Sequence, residues 1–292
     1  MSLSPNCRVT ALLTTMTLLT LAGCGVGSSI GEDIGNAIGN GLTCGLRNCT
    51  ESSTLRVDEM SPRFTASQQA GSNTVLIEGF MGKSANLFTT VLLGSNERLS
   101  ASVDGSSESR LNNPDGQRLD YTLSLVSSSA QPQVTLVFTR DGTRHVSQVT
   151  LPPAFSVLQP TGTATLTRTG AALAVPLSRA FTVTDTLTLT ADGRCTRSDN
   201  SAFDVKSESL GAQADASVPG TYTLQPLSID TTLNAASVRA NNNSTATSPV
   251  SRCELTLTWG HKVYGTVAAT LNQHGTLGGE RRATLGLIYD AR

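Results

Sequence analysis

Little in this chain is suited to catalysis or to stacking on flat ligands. Aromatic residues are 4% of its 292 positions, and Trp259 is the only tryptophan. A platform for sugars or bases needs several exposed rings, so that class of binding is not expected. Charged residues are also scarce, at 15% against the roughly 25% usual in soluble domains. The formal net charge is −1, and no basic run could neutralise a phosphate backbone. Nucleic acid is therefore not an expected partner.

Nucleophile and metal signatures are missing as well. The three lysines, Lys83, Lys206 and Lys262, are preceded three residues earlier by Phe80, Phe203 and Trp259. None has the serine that a Ser-x-x-Lys acyl-enzyme requires, and no Gly-x-Ser-x-Gly elbow is present. Gly82-Lys83-Ser84 looks like the end of a phosphate loop, but Ile77 stands where that loop needs its first glycine. Asn113-Pro114-Asp115-Gly116 supplies part of a calcium loop, with Leu111 at the first ligand position. Asp185, Asp192, Asp199 and Asp204 are too widely spaced to complete a cage. The three histidines, His145, His261 and His274, lack partners at helix or strand spacing and read as strand-end or loop side chains. The one catalytic arrangement left open is a Ser-His-Asp site assembled from distant loops. No cofactor, metal or catalytic residue is expected.

What the chain does have begins at its N-terminus. Arg8 precedes an apolar run, Val9 to Leu21, that threonines dilute and that is too short for a membrane-spanning helix. A charged start, a short apolar stretch and small residues at its end are the parts of a secretory signal. The run closes on Leu21-Ala22-Gly23-Cys24. Here the sequence resembles the bacterial lipoprotein precursors, whose lipobox is Leu-Ala/Ser-Gly/Ala-Cys. All four positions fit. The resemblance implies cleavage between Gly23 and Cys24, a diacylglyceryl thioether on the sulfur of Cys24, and a further acyl chain such as palmitate on its new amine. It also implies that the N-terminal lipid makes the membrane a partner. Gly25 lacks the acidic signal that retains such proteins at the inner membrane, which favours the outer membrane.

With Cys7 in the leader and Cys24 lipidated, Cys44, Cys49, Cys195 and Cys253 remain. An even number in an exported chain reads as disulfides. Of the three connectivities, Cys44–Cys49 with Cys195–Cys253 is favoured. A zinc site wants closer Cys pairs, and only Cys44/Cys49 comes near that spacing.

Residues 24–53 form the lipidated cysteine and a glycine-rich tether. Ile30, Ile34 and Ile38 alternate there with Gly27, Gly31, Gly35 and Gly39 on a four-residue beat, which would line one side of a helix. Each helical glycine costs about 0.8–1 kcal/mol, so a spacer is the stronger reading. Beyond Cys49 the period falls to two: Val75/Ile77, Leu99/Ala101/Val103, Val134/Leu136/Phe138, Leu187/Leu189/Ala191, Cys253/Leu255/Leu257/Trp259 and Ala283/Leu285/Leu287/Tyr289. Such alternation predicts half-buried antiparallel strands. Asp141-Gly142 predicts a two-residue hairpin turn. Leu151-Pro152-Pro153-Ala154 interrupts the series, since proline cannot donate within a central strand. The expected layout is two immunoglobulin-like β-sandwiches, 54–153 and 154–292, with no long helical period after Cys49. Residues 241–249, rich in Asn, Ser and Thr, predict a loop.

In the last domain, Cys195 shares the parity of Leu187, Leu189 and Ala191 only if the strand runs through Asp192-Gly193. A bulge at Gly193 is therefore expected, in preference to a hairpin turn that would aim Cys195 at solvent. The functional expectation is a lipid-anchored cell-envelope protein with a binding or structural role toward an envelope protein or glycan. A surface adhesin and an envelope hydrolase are the alternatives.

Overall fold

A computed structural model describes Cys44 and residues 48–84, 86–114, 116–182, 184–243 and 247–291. The leader, the Gly23/Cys24 junction and the Gly/Ile beat lie outside the described residues. The unit Leu42–Arg292 is compact. Its first half contains β1 (Cys49–Glu51), β2 (Met60–Gln69), β3 (Thr74–Lys83), β4 (Asn86–Leu92), β5 (Glu97–Val103), β6 (Ser109–Arg110), β7 (Tyr121–Val126), β8 (Gln133–Arg140) and β9 (Thr143–Thr150). The second half contains β10 (Ala164–Thr167), β11 (Leu173–Pro176), β12 (Thr186–Arg197), β13 (Ala202–Ser209), β14 (Gln213–Ala214), β15 (Thr221–Leu224), α1 (Pro226–Ala240), β16 (Val250–Tyr264) and β17 (Thr276–Asp290). The unit is all-β, as its period-two pattern requires, with packed sheets and, among the residues described from Asn48 onward, one α-helix.

One ten-stranded sheet carries both halves, in the order β1-β4-β3-β2-β17-β16-β12-β13, with β7 on β3 and β10 on β17. Two cores form on its inner face. The first packs Phe64, Ala66, Val75, Ile77 and Met81 against Leu99, Ala101, Leu136 and Phe138, which come from a four-stranded sheet ordered β6-β5-β8-β9. The second packs Leu189, Ala191, Leu255, Leu257, Trp259, Leu285 and Tyr289 against Val175, Tyr222, Leu224, Ile229 and Leu233. Those last five come from a small sheet, β11-β15-β14, and from α1.

The expected cut at Leu151–Ala154 thus falls between two cores but does not separate two sheets. The C-terminal strand β17 pairs in parallel with β2 from Thr276↔Arg63 to Arg282↔Gln69. Leu271 and Leu277 accordingly belong to the first core. At the seam the inward side chain is polar. Arg281 is buried and donates from Nε to the Pro152 carbonyl at 3.0 Å. Its other nitrogens donate to Gln68 Oε1 and to the Ala130 carbonyl. Burial pushes its pKa down.

Two further expectations are corrected. The tether does not extend to residue 53, because Cys49–Glu51 is an edge strand paired in parallel with Thr90–Leu92 of β4. Ser52 is buried as well. Edge pairing uses backbone groups, so the polar run Cys49-Thr50-Glu51 gave no apolar alternation to read. The second correction is α1. Ile229, Leu233, Ala236 and Ser237 are its buried face, at the i, i+4, i+7, i+8 spacing of a helix. Pro226 occupies the first turn, where a missing N–H costs nothing. The expected loop begins at Asn241, directly after this helix, and residues 244–246 lie outside the described ones.

The bulge appears where the disulfide needed it. The register of β12 with β13 shifts between Ala191 and Gly193, while β12 with β16 runs unbroken to Thr196↔Arg252, placing Cys195 opposite Cys253. Gly193 has φ +153°, and a Cβ there would lie 2.1 Å from the Glu254 carbonyl oxygen. Only glycine fits.

Candidate functional site

Both remaining cysteine pairs are joined: Cys44–Cys49 with Cα atoms 5.2 Å apart, and Cys195–Cys253 with 4.0 Å between them. The second bridge is buried in the second core, and its two strands supply both anchors. Among the described residues no group of three or more His, Cys, Asp or Glu side chains converges as a metal centre would. Asp192 accepts the Ser207 N–H at 2.8 Å. Asp199 accepts from the hydroxyl and N–H of Ser201, and these bonds hold its pKa down at about 2. Asp199 shapes its own turn, and Asp192 ties β12 to β13. Lys83 ends β3 and leads into Ser84, whose φ is +44°, so Gly82-Lys83-Ser84 is a strand end.

The histidines are not the solvated side chains expected, with one exception. His145 is buried beside Phe138, stacked with ring centroids 5.6 Å apart. Its Nδ1 is hydrogen-bonded to Thr270 Oγ1 at 2.7 Å, while Nε2 is buried without a partner among the described residues. Burial, with Arg140 second, pushes its pKa down. His261 is buried too, with Nε2 3.4 Å from Asp185 Oδ1 and Phe181 edge-on at 5.0 Å. Burial lowers its pKa against the opposing pull of Asp185. Asp185 is itself held low, first by the Thr182 N–H. The Nδ1 of His261 is buried and accepts or donates nothing among the described residues, so this His–Asp pair has no hydroxyl aligned for attack. His274 is exposed. The three do not converge.

A cavity lies elsewhere, at the corner where β5, β6 and the segment leading into β7 meet. It measures about 570 Å³, within the range of small-molecule sites. Leu93, Leu99, Leu111 and Tyr121 line it together with Arg98, Arg110, Arg118, Asn112 and Asn113, and by register Arg98 and Arg110 lie with Ser100 on the sheet face opposite Leu99. The backbone builds it in three steps. Ser100 of β5 pairs with Arg110 of β6. Leu111 then donates its N–H to the Leu99 carbonyl at 3.0 Å. Asn112 and Thr122 exchange backbone bonds of 2.8 and 2.9 Å, which fixes where the segment turns into β7.

The charges around this cleft are unequally matched. Arg118 forms a fork with Glu51, at 2.9 and 3.1 Å, and reaches the Leu93 carbonyl at 3.0 Å. Glu97, the cleft's one described carboxylate, is taken up by Arg140 at 2.9 Å, by Ser52 Oγ and by the Gly94 N–H at 2.7 Å. Glu108 is engaged by Ser100 and Arg144. Arg98 and Arg110, both exposed, have no carboxylate partner among the described residues. Asn113 has both amide atoms sheltered and unbonded. Sequence reading missed this cleft. Its residues come from three separate segments, and no local spacing announces them.

No protein-family model matches the chain, and neither does any curated protein sequence. Solved structures with some similarity include a chimeric titin Z1Z2 functionalised with a KLER exogenous peptide from decorin. It is 11% identical, and the match covers 80% of this chain and 95% of that one with a TM-score of 0.22. Extracellular domains 3–5 of Drosophila OTK are 12% identical over 80% of this chain and 65% of that one, at a TM-score of 0.16. Values this low say nothing about what the chain binds.

Proposed function

We propose that the chain is a lipid-anchored protein of the bacterial cell envelope, acylated on Cys24 and displaying its β unit in an aqueous compartment for a binding or structural role. The observation that carries this reading is the four-residue match Leu21-Ala22-Gly23-Cys24 after a short, threonine-diluted apolar run. The cysteine usage supports it: every described cysteine is in a disulfide, which suits an exported protein. Binding is favoured over catalysis by the difference between the two polar sites. The His261–Asp185 pair has no hydroxyl aligned with it among the described residues, whereas the cleft at β5 and β6 is open and lined by polar as well as apolar residues. Outer-membrane placement follows from Gly25 behind the lipidated cysteine. The partner is an envelope protein or glycan, and no nucleic acid or cofactor enters this reading.

Three acyl chains, at about 0.8 kcal/mol per buried CH₂, should hold the protein at the membrane essentially permanently, whereas one is marginal. The test is palmitate labelling followed by fractionation of cells making the wild-type chain and Cys24→Ala. The variant should lose both its label and the membrane pellet. Retention of both would end the anchor assignment. Protease shaving of intact cells separates the periplasmic orientation, which leaves the β unit protected, from the adhesin orientation, which exposes it.

A further inference from the structure

We propose that a second cavity, at the seam between the two cores, binds a small oxyanion, a carboxylate or a phosphate, with the buried Arg281 as its cation. This goes beyond the reading above and uses neither the lipid nor the cleft at β5 and β6.

Arg281 is 6% exposed, and arginine is almost never so buried without a charged partner. Here it has none among the described residues. Its bonds go to neutral oxygens: Nε to the Pro152 carbonyl, Nη1 to Gln68 Oε1 and Nη2 to the Ala130 carbonyl. These bonds explain how the seam is stapled, but they leave a positive charge uncompensated away from water, which is costly. The acidic groups around it are engaged elsewhere. Asp104 accepts from Ser127 Oγ and from the Gln133 N–H. Asp185 accepts the Thr182 N–H and lies beside His261, which stands across from Arg281 on β16. Glu280, the preceding residue of β17, points to the other side of the sheet and pairs with Arg282. Burial alone moves the pKa of Arg281, downward, with no carboxylate pulling it back.

The guanidinium borders a cavity of about 280 Å³ in which it is the one charged group. Gln68 and Ala130 line that cavity with it, and Pro152 does not. Nη1 and Nη2, which reach those two lining residues, are therefore the nitrogens at its wall, and Nε serves the linker. Each of Nη1 and Nη2 carries a second N–H that nothing accepts among the described residues. Such a pair matches two oxygens of one carboxylate or phosphate. Ser72 and Ser129, also in the lining, add donors. Their Oγ atoms accept the N–H groups of Thr74 at 3.0 Å and of Gln131 at 3.3 Å, which leaves each hydroxyl proton to give. Gln68 joins rim to base, since its Nε2 donates to the Ser72 carbonyl at 2.9 Å. The volume lies just under the roughly 300–1,000 Å³ of sites for larger ligands, which suits a small oxyanion and is too little for an oligosaccharide.

The experiment uses the purified full chain in detergent. Acetate, inorganic phosphate and chloride are titrated separately at constant ionic strength, followed by calorimetry and by the NMR signal of the Arg281 Nε–H. One or both oxyanions should bind and shift that signal in step, and chloride, with a single acceptor point, should bind about tenfold more weakly. Acetate preference assigns a carboxylate source and phosphate preference a phosphoryl one. Arg281→Lys keeps the charge without the fork and should weaken the oxyanion about tenfold. Because Arg281 also staples the seam, Ser72→Ala with Ser129→Ala supplies an independent variant. Both serines are exposed, so this protein should stay folded and still bind about tenfold more weakly for want of two donors. An Arg281 signal that stays fixed at millimolar oxyanion, or binding undiminished in the folded serine variant, would overturn the proposal. Neither result bears on the anchor, which is read by fractionation.

Discussion

Removing the Cys195–Cys253 bridge should destabilise the protein more than any other change to its cross-links. The two residues are 58 apart in sequence, and the loop they close contains β13, β14, β15 and α1. That loop carries most of the cover of the second core, namely β14, β15 and α1. In the chain-entropy model, freeing a loop of this length in the unfolded state costs roughly 4 kcal/mol. For a unit of this size about 1 kcal/mol moves the melting temperature about 2–4 °C, so the expected drop is about 8–16 °C. The perturbation should be Cys195→Ala with Cys253→Ala, because serine would place an unbonded hydroxyl among apolar neighbours. The control is Cys44→Ala with Cys49→Ala, which opens a loop spanning 5 positions and should cost about 2 kcal/mol at most. Scanning calorimetry of both variants against the wild type decides. A smaller drop for the Cys195/Cys253 pair than for the control would refute the assignment of this bridge as the staple of the second core.

Arg281→Met should lower stability by about 2 kcal/mol, since it leaves the Pro152 and Ala130 carbonyls without their donor and each such loss costs about 1–3 kcal/mol, partly offset by relief of a buried charge. In calorimetry the two cores should then melt in separate steps, and an unchanged single transition would speak against the seam. Stability should also fall at both ends of the pH scale. His145 is held below the ordinary 6.5 by burial, so its contribution is complete above pH 6.5 and is lost as pH falls below it. His145→Gln should flatten that acid limb, and an unaltered limb would exclude this histidine as its source. Tyr289 is pushed up to about 12, first by burial and then by its bond to Asp230. Its contribution is present below pH 10 and fades between 10 and 12. Denaturant midpoints of Tyr289→Phe should not show that alkaline loss.

The parts of this fold legible in the sequence are those set by local sterics. Asp141-Gly142 is the β8–β9 turn, with φ of +49° and +78°, because only such residues accept both angles. Gly193 was predictable because the parity of Cys195 demanded a bulge and glycine alone could form it. Helix α1 was not read, although Ile229, Leu233 and Ala236 carried the right spacing. Ser228, Thr231 and Thr232, outside that buried face, are weak helix formers that favour other conformations, so tertiary burial decides the outcome. The pairing of β17 with β2 was illegible for a different reason. Alternation tells which side of a strand faces the core but not which strand lies beside it.

The same limit governed the cleft. Arg98 and Arg110 look like ordinary solvated charges in sequence, since each sits at an outward position of a strand. What the sequence does not show is that Arg118 and Glu97 find their partners in Glu51 and Arg140, each far away in the chain, and that is a property of the assembled corner. Glu51, which matches Arg118, arrives on a strand from the expected tether; Glu97 is drawn inward by Ser52 and Arg140. The edge strand β1 therefore does two things at once. It closes the long sheet in parallel with β4, and through Glu51 it neutralises Arg118 at the cleft. A segment expected to be only a spacer thereby helps set the charge of the cavity beside it.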